Sequence, residues 1–370
     1  MMVTDKGWCF FMKNFDYDIV IIGAGPAGAN LARLLNKDQR ILLIDGAGEK
    51  EKVCGGLLSP DAQDVLARYD ICLPKDILAS PQLFSVRTVD LSDGLTRYYR
   101  RSYMNVNRRK FDEFLLSMVS PHVTVKNLRC TAIRQEKEGF SLSLADGESL
   151  TCRFLVGADG ASSIVRRTLF REKKIERMTA IQQWFAAGEE NANYSCIFDS
   201  ETSSGCSWIF YKDGNLVFGG AFDFHNSRAM FEKQKEKLVH LGIVPKDAFD
   251  IPLRTEACLV SLPRISDGVF FGGGGAYLIG EAAGLISPSS FEGISYALLS
   301  AEALADAMNE KTDAKRILSC YGKKARRLQR KVLARCLKRP FMYQKMLRRA
   351  VMKSGLTALK MRKKDDEYGK

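Results

Sequence analysis

The sequence predicts an α/β protein that carries an additional antiparallel β-sheet and a helical C-terminal tail. Three observations predict it: a β-branched run that enters a glycine-rich turn near the N-terminus, two aromatic-rich stretches with strand patterning, and a C-terminal segment whose apolar residues recur at helical spacing. At 370 residues, and about 150 residues per domain, two to three domains are expected. With 46% hydrophobic and 27% charged residues the composition is that of an ordinary globular protein and excludes a disordered chain. The longest apolar stretch, residues 269–286, is interrupted by six glycines and Glu281, so no membrane span is expected. The N-terminal MMVTDKGWCFFMKNF lacks the apolar core and small-residue cleavage site of a signal peptide, and Met12 is a candidate start. Ten scattered cysteines without a CxxC pair, and three histidines without ligand spacing, point to a reduced cytoplasmic setting and to no metal site.

Taken in order, Tyr17–Ile22 (YDIVII) is apolar without alternation, the pattern of a strand covered on both faces. Ala27–Leu35 reads as a helix and Arg40–Asp45 as a second strand, which closes a βαβ unit. Phe111–Val119 looks helical. Val123–Leu128, Cys130–Glu136, Ser141–Leu144 and Leu150–Leu155 look like strands, with turns at Glu138-Gly139 and Asp146-Gly147. Residues 80–99 and 178–262 hold most of the aromatics and few long helical patterns, and are expected to form the separate antiparallel sheet. Residues 291–309 form a helix with an Ala/Leu face, and the tail is helical with a break at Pro340.

Between the first strand and helix lies Gly23-x-Gly25-x-x-Gly28. Glycines permit a tight turn and close backbone approach, and the helix N-terminus attracts a pyrophosphate. Asp45, 17 residues beyond Gly28 at the end of the next strand, is placed to accept hydrogen bonds from a ribose. Strand, glycines, helix and acid together indicate a Rossmann-like FAD/NAD(P)-binding domain, although this motif alone does not separate NAD from FAD.

Two further motifs separate them. Residues 155–167 read LVGADGASSIVRR, and residues 278–297 read LIGEAAGLISPSSFEGISYA. With the glycine turn they resemble, in order, the GxGxxG, GADGxxSxxR and GDAAG motifs of the flavoprotein monooxygenase (para-hydroxybenzoate hydroxylase-like) superfamily, from Tyr17 to about Met308. The resemblance implies non-covalent FAD and a discontinuous FAD-binding domain over 12–79, 100–177 and 263–310. The substrate domain then comprises 80–99 and 178–262, and the basic helical tail 311–370. It assigns the adenosine diphosphate half of FAD to Gly23, Gly25, Pro26, Ala27, Gly28 and Asp45. Arg108, in NVNRRKFDEFL, matches an arginine that reaches the cofactor. Asp159 and Gly160 match the central turn, whose pattern Ser163 and Arg166 complete. Gly280, Glu281 and Gly284 match the late motif, with Glu281 where the superfamily has Asp. Pro288, Gly293 and Ile294 mark a segment that enters a helix and aims N–H groups at the flavin's pyrimidine edge.

Within the superfamily, Lys52-Val53-Cys54-Gly55-Gly56 and Cys206–Lys212 followed by Asn215–Gly220 resemble motifs of the geranylgeranyl reductase family. Cys206 and Tyr211 depart from that family's Tyr and Pro. The resemblance implies an apolar substrate whose carbon–carbon double bond is reduced, with NAD(P)H or a small electron carrier as reductant. It places Cys54 and Gly55 near the flavin and makes Cys54 and Trp208 the candidate catalytic residues. Trp208, Phe210, Phe218 and Phe222 are expected to line an apolar cavity; simple core packing is the alternative. An aromatic hydroxylase on the same fold, or a non-enzymatic prenyl-binding protein, are the rival readings.

Charge is uneven. Residues 311–370 hold 21 Lys and Arg against 4 Asp and Glu, whereas the preceding residues hold 35 against 39. Basic helices with an apolar stripe suit peripheral contact with an anionic membrane. The alternative is a tail packed on the FAD domain that displays a solvated basic face. No nucleic-acid-binding fold is present in the pattern, which argues against nucleic acid.

Overall fold

In the computed structural model, residues 14–46, 53–187 and 191–361 are described. They form two eight-stranded sheets, a set of helices packed on them, and a helical C-terminal region. Met12, Lys52 and the last nine residues of the tail lie outside the described residues.

The first sheet follows from the apolar runs read above. Tyr17–Ile22 pairs in parallel with Ile41–Ile44 on one side and Ser149–Gly157 on the other, in the register Ile19↔Ile41 and Ile19↔Phe154. Ile19–Ile21 and Ile41–Ile44 are buried on both faces, as uninterrupted β-branched runs require. Thr124–Lys126 and Ala276–Leu278 extend the parallel sheet at its two sides, and the hairpin of Cys130–Gln135 and Phe140–Leu144 joins it through Ser149–Gly157. Helix Pro26–Leu34, with Gly25 at its N-cap and proline at its first position, packs against helix Ile294–Glu310. Asn30 donates from Nδ2 to the Leu298 carbonyl at 2.9 Å, so the first and last motifs share one layer.

The second sheet runs in the order Arg254–Leu262, Glu176–Ala186, Asn215–Phe222, Ser207–Lys212, Asn193–Phe198, Leu83–Asp90, Leu95–Asn105 and Leu57–Leu58. Two features differ from the antiparallel, helix-poor region expected. Leu83–Asp90 and Asn193–Phe198 pair in parallel, which their long connection permits and a tight hairpin would not. A 14-residue helix, Ser227–His240, covers one face of the sheet; its weak apolar periodicity hid it, since only Phe231, Gln234 and Leu238 are buried.

The tail is built into the body. Ile317 and Tyr321 are fully buried in the core of the first sheet, and the Tyr321 hydroxyl donates to the Leu278 carbonyl at 2.9 Å. Arg348 makes a buried bidentate pair with Asp90, Nε to Oδ2 at 2.6 Å and Nη2 to Oδ1 at 3.0 Å, which pins the last helix, Lys345–Ser354, to the second sheet. Pro340 does not end its helix, which runs Arg326–Tyr343; the break comes one short turn later. No helix among the described residues is long and apolar enough to cross a membrane.

Candidate functional site

A cavity of about 1320 Å³ lies between the two sheets and reaches the residues of all three motifs. That exceeds the roughly 300–1,000 Å³ typical of a small-ligand pocket.

One end is formed by the glycine turn. Gly23, Gly25, Pro26 and Ala27 line the cavity, and Asp45 stands at its edge. The first and third glycines are needed for the backbone. Gly23 has φ +105°, and a side chain on Gly28 would place Cβ 1.8 Å from the Gly23 carbonyl oxygen. Gly25 is different: its φ of −67° suits any residue, and a Cβ there would meet no atom within 4 Å. It opens onto the cavity, at the N-terminus of a nine-residue helix that no side chain caps. These uncapped N–H groups beside open space fit a pyrophosphate. Asp159, in the next turn, accepts from the Ile164 N–H at 2.6 Å through Oδ2, while its buried Oδ1 finds no partner among the described residues. Burial raises its pKa against the hydrogen bonds that Ser163 and the local backbone supply.

Gly160, Glu281, Gly293 and Ile294 also line the cavity; Gly28, Gly280, Gly284 and Pro288 do not. Gly280 and Gly284 have φ of +56° and +78° and shape the late motif's turn, and Pro288 is buried behind its loop. Glu281 accepts at Oε1 from the Ser261 N–H at 2.8 Å, so this acid ties the late motif to the second sheet. Arg166 is buried and donates to the Ala282 carbonyl at 2.9 Å and to the Lys173 carbonyl at 2.6 Å. It clasps the central and late motifs together, and burial lowers its pKa to about 10.

Cys54, Gly55 and Arg108 meet at the cavity wall. Arg108 pairs with Asp112 at 2.9 Å; burial opposes its charge, but Asp112 and the Cys54 thiol beside it raise its pKa overall. Lys212, which ends the Cys206–Lys212 motif and is given no role by the sequence, is buried and donates to the Gly55 carbonyl at 2.6 Å and the Val106 carbonyl at 2.7 Å. It holds the Cys54–Gly56 loop against the second sheet, and burial lowers its pKa to about 8 although the charge of Cys54 works the other way.

At the far end Trp208, Phe210 and Tyr194 form the wall. Trp208 lies over Gly219, where any side chain would collide with the indole, and its Nε1 donates to Gln182 at 3.2 Å. Phe218 and Phe222, expected in this wall, face the other way and pack with Phe231 of the covering helix. Strand alternation accounts for it: 216, 218 and 222 share the helix-covered face, while 217, 219 and 221 face the cavity side.

A polar cluster in the same wall was also missed. The Tyr103 hydroxyl donates to Glu292 Oε1 at 2.6 Å and accepts from Arg101 Nε at 2.8 Å. Arg101 Nη2 reaches both Glu292 oxygens at 2.9 Å. Burial, with Glu292 beside it, raises the Tyr103 phenol well above its ordinary range, so it keeps its proton. Glu292 follows Phe291, whose φ of +54° is left-handed, in the loop that precedes Gly293. The polar FEG sequence ahead of an apolar helix was the one local signal available.

Comparison with known proteins completes the description. The sequence profile of the lycopene cyclase protein family matches residues 18–235. Protein CbrA of Escherichia coli O157:H7 is 40% identical over 349 residues, covering 92% of this chain and 97% of CbrA. A geranylgeranyl bacteriochlorophyll reductase-like structure from Thermoplasma acidophilum superposes with a TM-score of 0.74 at 20% identity, over 87% of this chain and 86% of that one. PqsL of Pseudomonas aeruginosa, a probable FAD-dependent monooxygenase, does so with 0.70 at 18%, over 91% and 99%. Both likenesses show the shared fold, a Rossmann-type flavoprotein fold with an inserted substrate domain. These findings do not single out the geranylgeranyl reductase family suggested by the Cys54 and Trp208 segments.

Proposed function

The chain belongs to the lycopene cyclase protein family, and from that premise we propose that it is an FAD-dependent oxidoreductase that reduces carbon–carbon double bonds of an apolar, isoprenoid- or lipid-like substrate. The observation that carries the reading is the continuity of the cavity, from the uncapped helix at Gly25 to the aromatic wall at Trp208, with volume for a dinucleotide and a second molecule.

FAD, when bound, supplies the hydride chemistry, with NAD(P)H or a small electron carrier as the reductant. The chain's residues supply binding and orientation. The Gly25 and Ala27 N–H groups would hold the pyrophosphate, Asp45 would accept from a ribose, and Arg108 and Glu281 would flank the cofactor. Gly293 and Ile294 line the cavity, and the N-terminus of helix Ile294–Glu310 would face the pyrimidine edge. Trp208, Phe210 and Tyr194 exclude water from an apolar substrate. Tyr103 keeps its proton at the wall, donated to Glu292 and buttressed by Arg101, and would give this end of the cavity a fixed polar group that orients the substrate. Cys54 borders the same space and contributes to turnover.

A second reading, an aromatic monooxygenase, is favoured by the likeness to PqsL over nearly its whole length. The deciding experiment begins with flavin content, since a protein purified and reconstituted without FAD would defeat both readings and leave a prenyl-binding role. Oxygen consumption with NAD(P)H, with and without candidate substrates, then separates them. Reductase activity predicts anaerobic products 2 Da heavier per double bond in a lipid extract, and Cys54→Ala and Tyr103→Phe that bind FAD normally but lose product. Substrate-dependent oxygen uptake with an oxygenated product would establish the hydroxylase instead.

A further inference from the structure

We propose that the C-terminal helices, together with the strand Leu95–Asn105, form a docking surface for an anionic lipid membrane. Residues 326–361 hold 12 Lys and Arg and no acidic residue. Some of these charges are used internally: Lys331 pairs with Asp61 at 2.7 Å and Arg348 with Asp90. Lys345 and Arg349, about half exposed, both lie against Asp93 at 3.7 and 3.5 Å, whereas Arg326, Arg327, Arg330, Lys353 and Lys360 are exposed.

Apolar side chains are exposed among them. Leu337 and Phe341, one helical turn apart, are 64% and 52% exposed, Met346 on the next helix is 84% exposed, and Leu356 is 75% exposed. Seven of the 15 large hydrophobic residues exposed among the described residues fall between Leu337 and Met361. Isolated exposed hydrophobes are ordinary, but this concentration inside an acid-free basic segment is the composition of an interfacial surface.

The fold adds a part that the tail sequence does not contain. The Leu359 N–H donates to the Tyr98 carbonyl at 2.7 Å, and Arg97 Nε donates to the Met352 carbonyl at 2.9 Å. Residues 352–359 are therefore laid along a strand reading Arg97-Tyr98-Tyr99-Arg100, whose half-buried tyrosines beside arginines are typical of a membrane interface. Tyr103, in the cavity wall, lies on the same strand. On the other side, the Tyr343 hydroxyl donates to the Ser289 carbonyl at 3.0 Å, next to the cavity-lining loop from Ser290 to Gly293. The surface thus abuts the cavity, which suits entry of an apolar molecule from a bilayer. A nucleic acid would engage the cations but leave Leu337, Met346 and Leu356 without a role.

The test is co-sedimentation of the full chain with vesicles of phosphatidylcholine alone and of phosphatidylcholine mixed with phosphatidylserine, at low and high salt. Binding is expected only to the anionic vesicles and is expected to fall at least tenfold at high salt, because the attraction is screened over about 8 Å at physiological ionic strength. Leu337→Ser with Phe341→Ser should weaken vesicle binding several-fold with an unchanged melting temperature; if that pair does not fold, Met346→Ser at the most exposed site serves the same purpose. No binding to anionic vesicles at low salt would overturn the proposal. So would apolar variants that bind as well as the parent, or duplex DNA that displaces the protein at equal phosphate, because either marks a generic polyanion surface. The outcome is independent of flavin content and of the reaction catalysed.

Discussion

The two glycines at either end of Gly25–Gly28 make opposite predictions, although a motif treats them alike. At Gly25 the backbone has φ −67° and ψ −173°, an extended conformation open to alanine, and the added Cβ meets nothing within 4 Å. Gly25→Ala should leave the apo fold as stable as before, or raise it by about 0.4–1 kcal/mol through a less flexible unfolded chain. The same methyl projects into the cradle where a pyrophosphate would lie. Loss of one backbone hydrogen bond to a charged group costs about 1.5–3 kcal/mol, or about ten- to hundred-fold in FAD affinity. At Gly28 the added Cβ would sit 1.8 Å from the Gly23 oxygen and 3.3 Å from the Ala158 Cβ. Nothing there is flexible, so Gly28→Ala should destabilise the apo protein by about 3 kcal/mol or more. Thermal unfolding of the apo proteins and FAD titration by fluorescence quenching read the two effects separately. A Gly25→Ala variant with parental FAD affinity, or a Gly28→Ala variant with parental stability, would refute this reasoning.

Three further outcomes are expected. Asp45→Ala should weaken FAD by about ten- to hundred-fold, the worth of a charge-assisted ribose contact, and an unchanged dissociation constant would remove Asp45 from the site. Lys212 has a folded pKa of about 8 against 10.5 when unfolded, so between those values the unfolded chain binds more protons. Its contribution to stability therefore rises with pH through that window, by on the order of 3 kcal/mol. Lys212→Met should abolish this rise, and parallel parent and variant stability curves from pH 7 to 10 would count against it. Arg348→Ala should cost about 3–5 kcal/mol by leaving Asp90 buried and unpaired, whereas Arg348→Leu with Asp90→Leu should recover most of it; denaturant titration distinguishes the two, and equal losses would mean that the pair itself, not the orphaned charge, sets the cost.

What the sequence determined by itself was local. A β-branched run followed by glycines at fixed spacing and a helix with proline at its first position can adopt few conformations. The turn at Gly23, the parallel strands around Tyr17–Ile22 and the helix entry near Gly293 were legible for that reason. Alternation along Asn215–Phe222 held the information that Phe218 and Phe222 share a face, but which face is covered depends on helix Ser227–His240, whose apolar stripe is thin. The tertiary structure alone decided contacts whose partners lie far apart in the chain. Tyr103 and Glu292 are separated by 189 residues, Lys212 and Gly55 by 157, and Arg348 and Asp90 by 258. No spacing rule couples such positions, because closing so long a loop depends on the whole core and not on the residues that finally touch. The basic tail shows both sides: its charge and helicity are written in composition, but burial of Tyr321 and Arg348 and exposure of Phe341 and Met346 followed only from where the two sheets placed it.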